Sequence, residues 1–272
     1  NVDELTLDIV ERMAKALTRA LNSGDFGQQS NGYEAKYTAE QLCERLISPE
    51  STTQQKHVIE TLVSALMIRL RDKLEIDDTA EFSTQAYKVS VSRVALNQSM
   101  EPIEFDFRQL HPVRPLNSID HYNITVIVDR KNFETIPDSI IYVQVGAVAY
   151  PPNSYEPKCG TGMVSPTVYV QLFNLTHHEI VLPPVINSTL FHAQVIPSHT
   201  LNSTSHQYTC RFFDSTKMMW RKDQKVCQTQ IDDVTDKEYT SKVTCSCIQP
   251  AQVGVSLDCP SNGSLTDRLN EA

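Results

Sequence analysis

The chain has 272 residues, with 24 basic and 33 acidic side chains and a net charge of −9. That length holds one large or two modest domains around a buried core, and 40% apolar residues exclude wholesale disorder. The acidic balance argues against a nucleic-acid partner, which needs clustered positive charge. No run of about 18 apolar residues occurs, so contact with a membrane is expected only through parts outside this chain. The chain starts at Asn1 without a charged and apolar leader, which reads as a processed chain or a piece of a larger ectodomain.

The first 84 residues carry a helical period. Leu5, Ile9, Met13, Leu17 and Leu21 recur at steps of four, and Asn22-Ser23-Gly24 supplies a stop. Asp25 to Lys36 is polar and reads as a loop. Thr38 with Gln41 makes a capping box for a second helix, whose stripe is Leu42, Cys43, Leu46 and Ile47. Val58, Leu62, Leu66, Leu70 and Leu74, flanked by Ile59, Val63 and Met67, form the longest helix.

From residue 85 the period becomes two. Tyr87, Val89 and Val91 alternate with polar residues, as do Ile103, Phe105 and Phe107. Asn123 to Val128, Ile140 to Tyr150, Thr167 to Phe173, Glu179 to Leu182 and the Val253, Val255, Leu257 run are further strands. Proline-rich turns separate several of them. Many strands without intervening helices predict an antiparallel sandwich. The fold class is therefore α+β: a helical subdomain over 1–84, a β-sandwich over 85–259, and a tail or linker over 260–272.

Glycosylation sequons occur at Asn97, Asn123, Asn174, Asn187, Asn202 and Asn262, all outside the first 90 residues. They carry sugar only if the chain passes through the secretory path. Seven cysteines, four of them clustered late at Cys210, Cys227, Cys245 and Cys247, fit an oxidising compartment. Zinc is the rival for such a cluster, but a Cys-x-Cys with partners at unequal distances matches paired Cys-x-x-Cys spacing poorly. No cofactor is expected. Cys43 lies on a helical stripe and reads as a buried thiol. Cys159 and Cys259 sit in loops and are expected to pair with each other.

The late cysteines stand in a recognisable order. Cys210 opens Cys-Arg-Phe-Phe-Asp with Phe212 and Phe213, Trp220 follows, and Cys245-Ser246-Cys247 closes the set. This resembles the GPS motif of the GAIN domain, found in adhesion receptors and in polycystin or egg-jelly-receptor proteins. The order of a helical part before a β part is also similar to that family. The resemblance implies disulfides Cys210–Cys245 and Cys227–Cys247. It implies self-cleavage after the motif, by a hydroxyl or thiol attacking the preceding carbonyl with a histidine two positions upstream as base. Gln249, Pro250 and Ala251 stand at those positions, so neither base nor nucleophile is present and an uncut chain is expected.

Other candidates are weaker. His177-His178 would point to opposite faces of a strand and share no ion easily. His111, His121, His192, His199 and His206 lack zinc spacing. Asp232, Asp233, Asp236 and Glu238 make an acidic stretch without the glycine and terminal glutamate of a calcium loop. The expected function is a non-cleaving extracellular module, on the outer face of a plasma or ciliary membrane, serving adhesion, force or ligand sensing. Its partners would be extracellular proteins or a membrane channel or receptor subunit. A secreted or cell-surface structural protein on the same fold is the alternative, and an enzyme a distant third.

Overall fold

The structure, a computed structural model, describes residues 6–23, 32–47, 53–96, 101–111, 122–133, 136, 139–149, 163, 165–182, 189–195, 207–214, 217, 219–232 and 242–258. Three helices come first: α1 (Leu7–Ser23), α2 (Gly32–Leu46) and α3 (Thr53–Arg71). In α1 the buried row is Val10, Ala14, Thr18 and Leu21. Ile9 and Met13, expected inside, are 42% and 38% exposed. Each step of four over-rotates a helix by about 40°, so a row built only on that step winds off one face. Steps of four, four and three keep Val10 to Leu21 aligned, and the small Ala14 and Thr18 let the helices approach.

α2 begins at Gly32, well before the expected cap. Thr38 sits inside it and donates its hydroxyl to the Glu34 carbonyl at 2.9 Å. Ala35 and Ala39 extend the buried row of Leu42, Cys43 and Leu46 backwards, so the helical period starts earlier than the leucines alone suggest. α3 buries Val58, Ile59, Leu62, Val63, Leu66 and Met67 as expected.

The remaining elements are β1 (Thr79–Ser83), β2 (Tyr87–Ala95), β3 (Ile103–Leu110), β4 (Tyr122–Val128), β5 (Ile140–Val148), β6 (Thr167–Phe173), β7 (Phe191–Val195), β8 (Gln207–Asp214), β9 (Met219–Arg221), β10 (Cys227–Asp232), β11 (Lys242–Cys247) and β12 (Gln252–Asp258). A 3-10 turn at Arg130–Phe133 follows β4. The strands form a seven-stranded sheet, β1-β2-β5-β6-β12-β8-β9, and a five-stranded sheet, β10-β11-β7-β4-β3, antiparallel throughout. β1 lies within the segment assigned to the helices, so the sheet starts at Thr79 rather than residue 85.

Burial patterns separate the layers. β3, β4 and β7 alternate buried and open residues, as strands with one face in solvent do. β5 is buried on both faces along Ile141 to Val148, because the helices cover the outer face of the seven-stranded sheet. Arg71 of α3 lies over the Phe173 ring at 3.9 Å, and Arg93 of β2 donates to the Leu74 carbonyl at 2.7 Å. Gly146 is paired with Tyr169 in register, and a Cβ there would stand 2.1–2.4 Å from the Tyr169 ring. The glycine is a seat for that ring, whose hydroxyl meets the Tyr87 hydroxyl at 3.1 Å.

The helices also cover an edge. Ser83 N donates to Glu40 Oε1 at 2.9 Å and Gln85 N to Glu44 Oε2 at 2.8 Å. One N–H at the end of β1 and one in the turn to β2 thus meet α2 carboxylates, which caps that end of the sheet edge against pairing with another strand. One continuous apolar core joins helices and strands.

Two segments differ in detail from what the sequence suggests. Glu179–Leu182 is not a strand; a single bridge pairs Phe173 with Glu179 across a tight loop. The stretch from Gln228 to Thr244, mostly polar and holding the acidic residues noted above, opens in β10 and closes in β11. Its alternating Thr229 and Ile231 face the same way as Cys227, a pattern hidden by the glutamines between them.

Candidate functional site

The motif residues converge on the last strand. β12 is an interior strand: Val253 to Asp258 pair with β8, and Gln252 and Val253 with β6. Val253 and Val255 are almost fully buried between the sheets. On the other face Gly254 and Ser256 lie under the segment around Met163 to Thr167. A Cβ on Gly254 would reach Met163 Sδ at 3.0 Å. Val255 N donates to Ser165 Oγ at 2.9 Å, and Met163 bridges Ser256.

The end of β12 is held by charge. Asp258 accepts from Lys222 Nζ at 2.6 Å, Thr209 Oγ1 at 2.8 Å and Arg211 Nη2 at 3.1 Å. Arg211 Nε also donates to Ser256 Oγ at 2.7 Å. Burial pushes the Asp258 carboxyl up, but the Lys222 and Thr209 hydrogen bonds and the Lys222 and Arg211 charges outweigh it. The net result is a carboxyl below the usual carboxylate range.

Two disulfides staple the surrounding strands. Cys210 of β8 joins Cys245 of β11 across the two sheets, with Cα atoms 5.7 Å apart. Cys227 and Cys247 stand opposite each other on β10 and β11 and are joined, with Cα atoms 4.2 Å apart, as in a pair lacking mutual backbone bonds. Cys43 is free and buried, and burial pushes its thiol far above the ordinary value. Phe212 points into the core, whereas Phe213 and Trp220 are cross-strand partners on the opposite face, edge to face at 5.5 Å.

Gln249, Pro250 and Ala251 form the bend that carries the chain from β11 in one sheet to β12 in the other. All three are half-buried, and the Ala251 carbonyl accepts from Val170 N at 3.2 Å. An amide, a ring and a methyl group supply no base or nucleophile. Nearby, His192 Nδ1 meets Ser246 Oγ at 2.8 Å. That pair sits on the solvent face of the five-stranded sheet, and it lacks a third group orienting His192 among the described residues. Sequence reasoning missed it because the partners are 54 residues apart.

A cleft of about 220 Å³ opens between the β1–β2 hairpin and edge strand β3, lined by Glu81, Lys88, Asp106 and Arg108 among others. Asp106 is tied to Thr125 and Arg108, and Lys88 Nζ donates to the Arg108 carbonyl. Lys88, Asp106 and Arg108 are therefore engaged with protein groups at this cleft. Among the described residues no group of three His, Cys, Asp or Glu side chains is placed to hold a metal ion. None of the described helices is long and apolar enough to cross a membrane.

Of the sequons, Asn123 and Asn174 are described, and both reach the surface. Asn97, Asn187, Asn202 and Asn262 lie outside the described residues, as do Cys159, Cys259, His121, His199, His206, Asp233, Asp236 and Glu238. His177 and His178 fall in a loop, and His177 binds Asp72 at 2.8 Å.

No family model and no curated protein matches the chain. Among solved structures it is similar to the full extracellular region of zebrafish Gpr126/Adgrg6, at a TM-score of 0.52 and 12% identity, over 90% of this chain. The match spans 32% of that longer chain. At this identity the likeness is one of fold: an extracellular module of adhesion-receptor type shares the architecture, and the two disulfides fit an extracellular location.

Proposed function

We propose that this chain is a non-cleaving GAIN-like module of a polycystin-like or adhesion-receptor-like membrane protein, on the extracellular face of a plasma or ciliary membrane. It works through protein contacts, in adhesion or in sensing force or ligand, with an extracellular protein or a channel or receptor subunit as partner. The observation that carries the reading is the interior position of β12. The chain crosses from one sheet to the other through Gln249-Pro250-Ala251 and then runs between β6 and β8, with Cys210 of β8 joined to Cys245 of β11 across the sheets and Cys247, just before the crossover, joined to Cys227. With that crossover unbroken, β12 is a mechanical link to the residues after it, since extraction requires breaking pairing on both its edges. The fold likeness to an adhesion-receptor extracellular region supports the same reading.

The test is the denaturing mass of the protein secreted from eukaryotic cells, measured with disulfides reduced. One uncut polypeptide is expected. A fragment beginning at Ala251 would overturn the non-cleaving reading, because β12 would then be held by non-covalent contacts alone.

A further inference from the structure

The loop after β6 closes on one side chain. Asn174 Oδ1 accepts from Thr176 N at 3.0 Å, His178 N at 2.9 Å and Thr176 Oγ1 at 2.8 Å. Asn174 N donates to the His178 carbonyl at 3.0 Å, and His177 N to the Asn174 carbonyl at 3.0 Å. Backbone N–H groups can only donate, so the atom receiving them is the carbonyl oxygen and Nδ2 is the other, on a residue that is half-buried. The Thr176 hydroxyl gives its one proton to Oδ1, so His178 Nδ1, 3.0 Å away, is the donor to it.

That closure forces His177 to a φ of 62°, a region L residues rarely adopt, and sends its ring out of the loop. Nε2 reaches Asp72 Oδ1 at 2.8 Å, just past α3, while the ring stacks on Tyr142 at 5.9 Å between centroids. A single asparagine oxygen therefore shapes the clasp between helices and sandwich, and among the described residues no group accepts from the Asn174 nitrogen, in an Asn-Leu-Thr sequon.

We propose that Asn174 does both jobs at once: Nδ2 carries an N-linked oligosaccharide, and Oδ1 builds the loop that holds His177 on Asp72. The proposal rests on the extracellular reading above. Transfer from a lipid-pyrophosphate-linked oligosaccharide forms a bond between sugar C1 and Nδ2. It breaks the C1–O bond to the pyrophosphate, which leaves with the lipid, and Nδ2 gives up one of its two protons. Nothing is oxidised or reduced, and Oδ1 keeps its lone pairs, so the sugar and the loop are compatible.

The test uses the full chain secreted from eukaryotic cells. Peptide mapping before and after enzymatic sugar release reports each sequon, and hydrogen exchange of the released protein reports the loop. Wild type is expected to carry sugar at Asn174. Asn174→Asp keeps an acceptor oxygen, so it should lose that sugar and retain slow Thr176 and His178 amides. Asn174→Ala should lose both, with those two amides exchanging roughly five- to tenfold faster. A bare Asn174 in a chain glycosylated at Asn123 would overturn the site alone. Sugar at no sequon would overturn the extracellular reading itself. Unchanged exchange in Asn174→Ala would overturn the loop role.

Discussion

At the residue scale, two positions set sharp expectations. Gly146→Ala puts a methyl group where the Tyr169 ring lies, so the ring must leave its seat and its contact with Tyr87. Overpacking of this kind costs about 1–3 kcal/mol, read as a lower Tm. Gly254→Ala meets the flexible end of Met163 instead and should cost less than about 1 kcal/mol. Equal losses for the two would contradict the packing described. Asp258 gives a pH signature. Its carboxyl lies lower in the folded chain than in the unfolded one, so its contribution is present above the unfolded value of about 3.9 and is lost as pH falls through the folded value. Asp258→Asn should therefore lower stability at neutral pH and flatten the acid limb of a stability–pH curve; an unchanged acid limb would remove Asp258 from the clamp. Neither role was legible in the sequence. Gly146 needs Tyr169 opposite it, and Asp258 needs Arg211 on β8 and Lys222 just past β9, dozens of residues away. The cysteine order was legible because covalent crosslinks leave a pattern that packing does not, although spacing alone left zinc open and the pairing came from the family resemblance.

At the scale of elements, the Cys210–Cys245 disulfide ties β8, the strand paired with β12, to the other sheet, and Cys227–Cys247 joins β10 to β11, the strand that leads into β12. Paired Cys→Ser substitution at 210 and 245, or at 227 and 247, removes a crosslink that closes a loop of 35 or 20 residues' separation and should cost about 3–4 kcal/mol apiece in the chain-entropy account. Chemical denaturation with and without reductant checks this; coincident curves would show that the bonds do not constrain the chain. The β1 edge makes a second prediction. With Glu40→Ala and Glu44→Ala together, the Ser83 and Gln85 amides lose their carboxylates and should exchange faster, while the interior of β5 does not change. Strands marked by alternation or by a run of Val, Ile and Tyr were read correctly, β2 to β6 among them. Those missed have physical reasons. β7 is only five residues long, and β10 alternates threonine and isoleucine with glutamine rather than charge. The α1 register failed because four-residue steps drift, and the start of α2 failed because alanines, not leucines, fill its first turns.

For the molecule as a whole, three layers explain the sequence: helices on one face of a seven-stranded sheet, and a five-stranded sheet on the other. The doubly covered strands lose the alternation that marks β3 and β4, and the last strand is threaded into the middle layer rather than added at an edge. Everything proposed about load and linkage follows from that threading. Hydrogen exchange of the intact, oxidised chain measures it most directly. The amides of Val253, Val255 and Leu257 on β12 should rank with the central β5 strand among the slowest in the protein, and should accelerate markedly on reduction of the two disulfides. If β12 exchanges at the rate of an exposed segment while β5 stays protected, the strand is not held inside the sandwich and the account is contradicted.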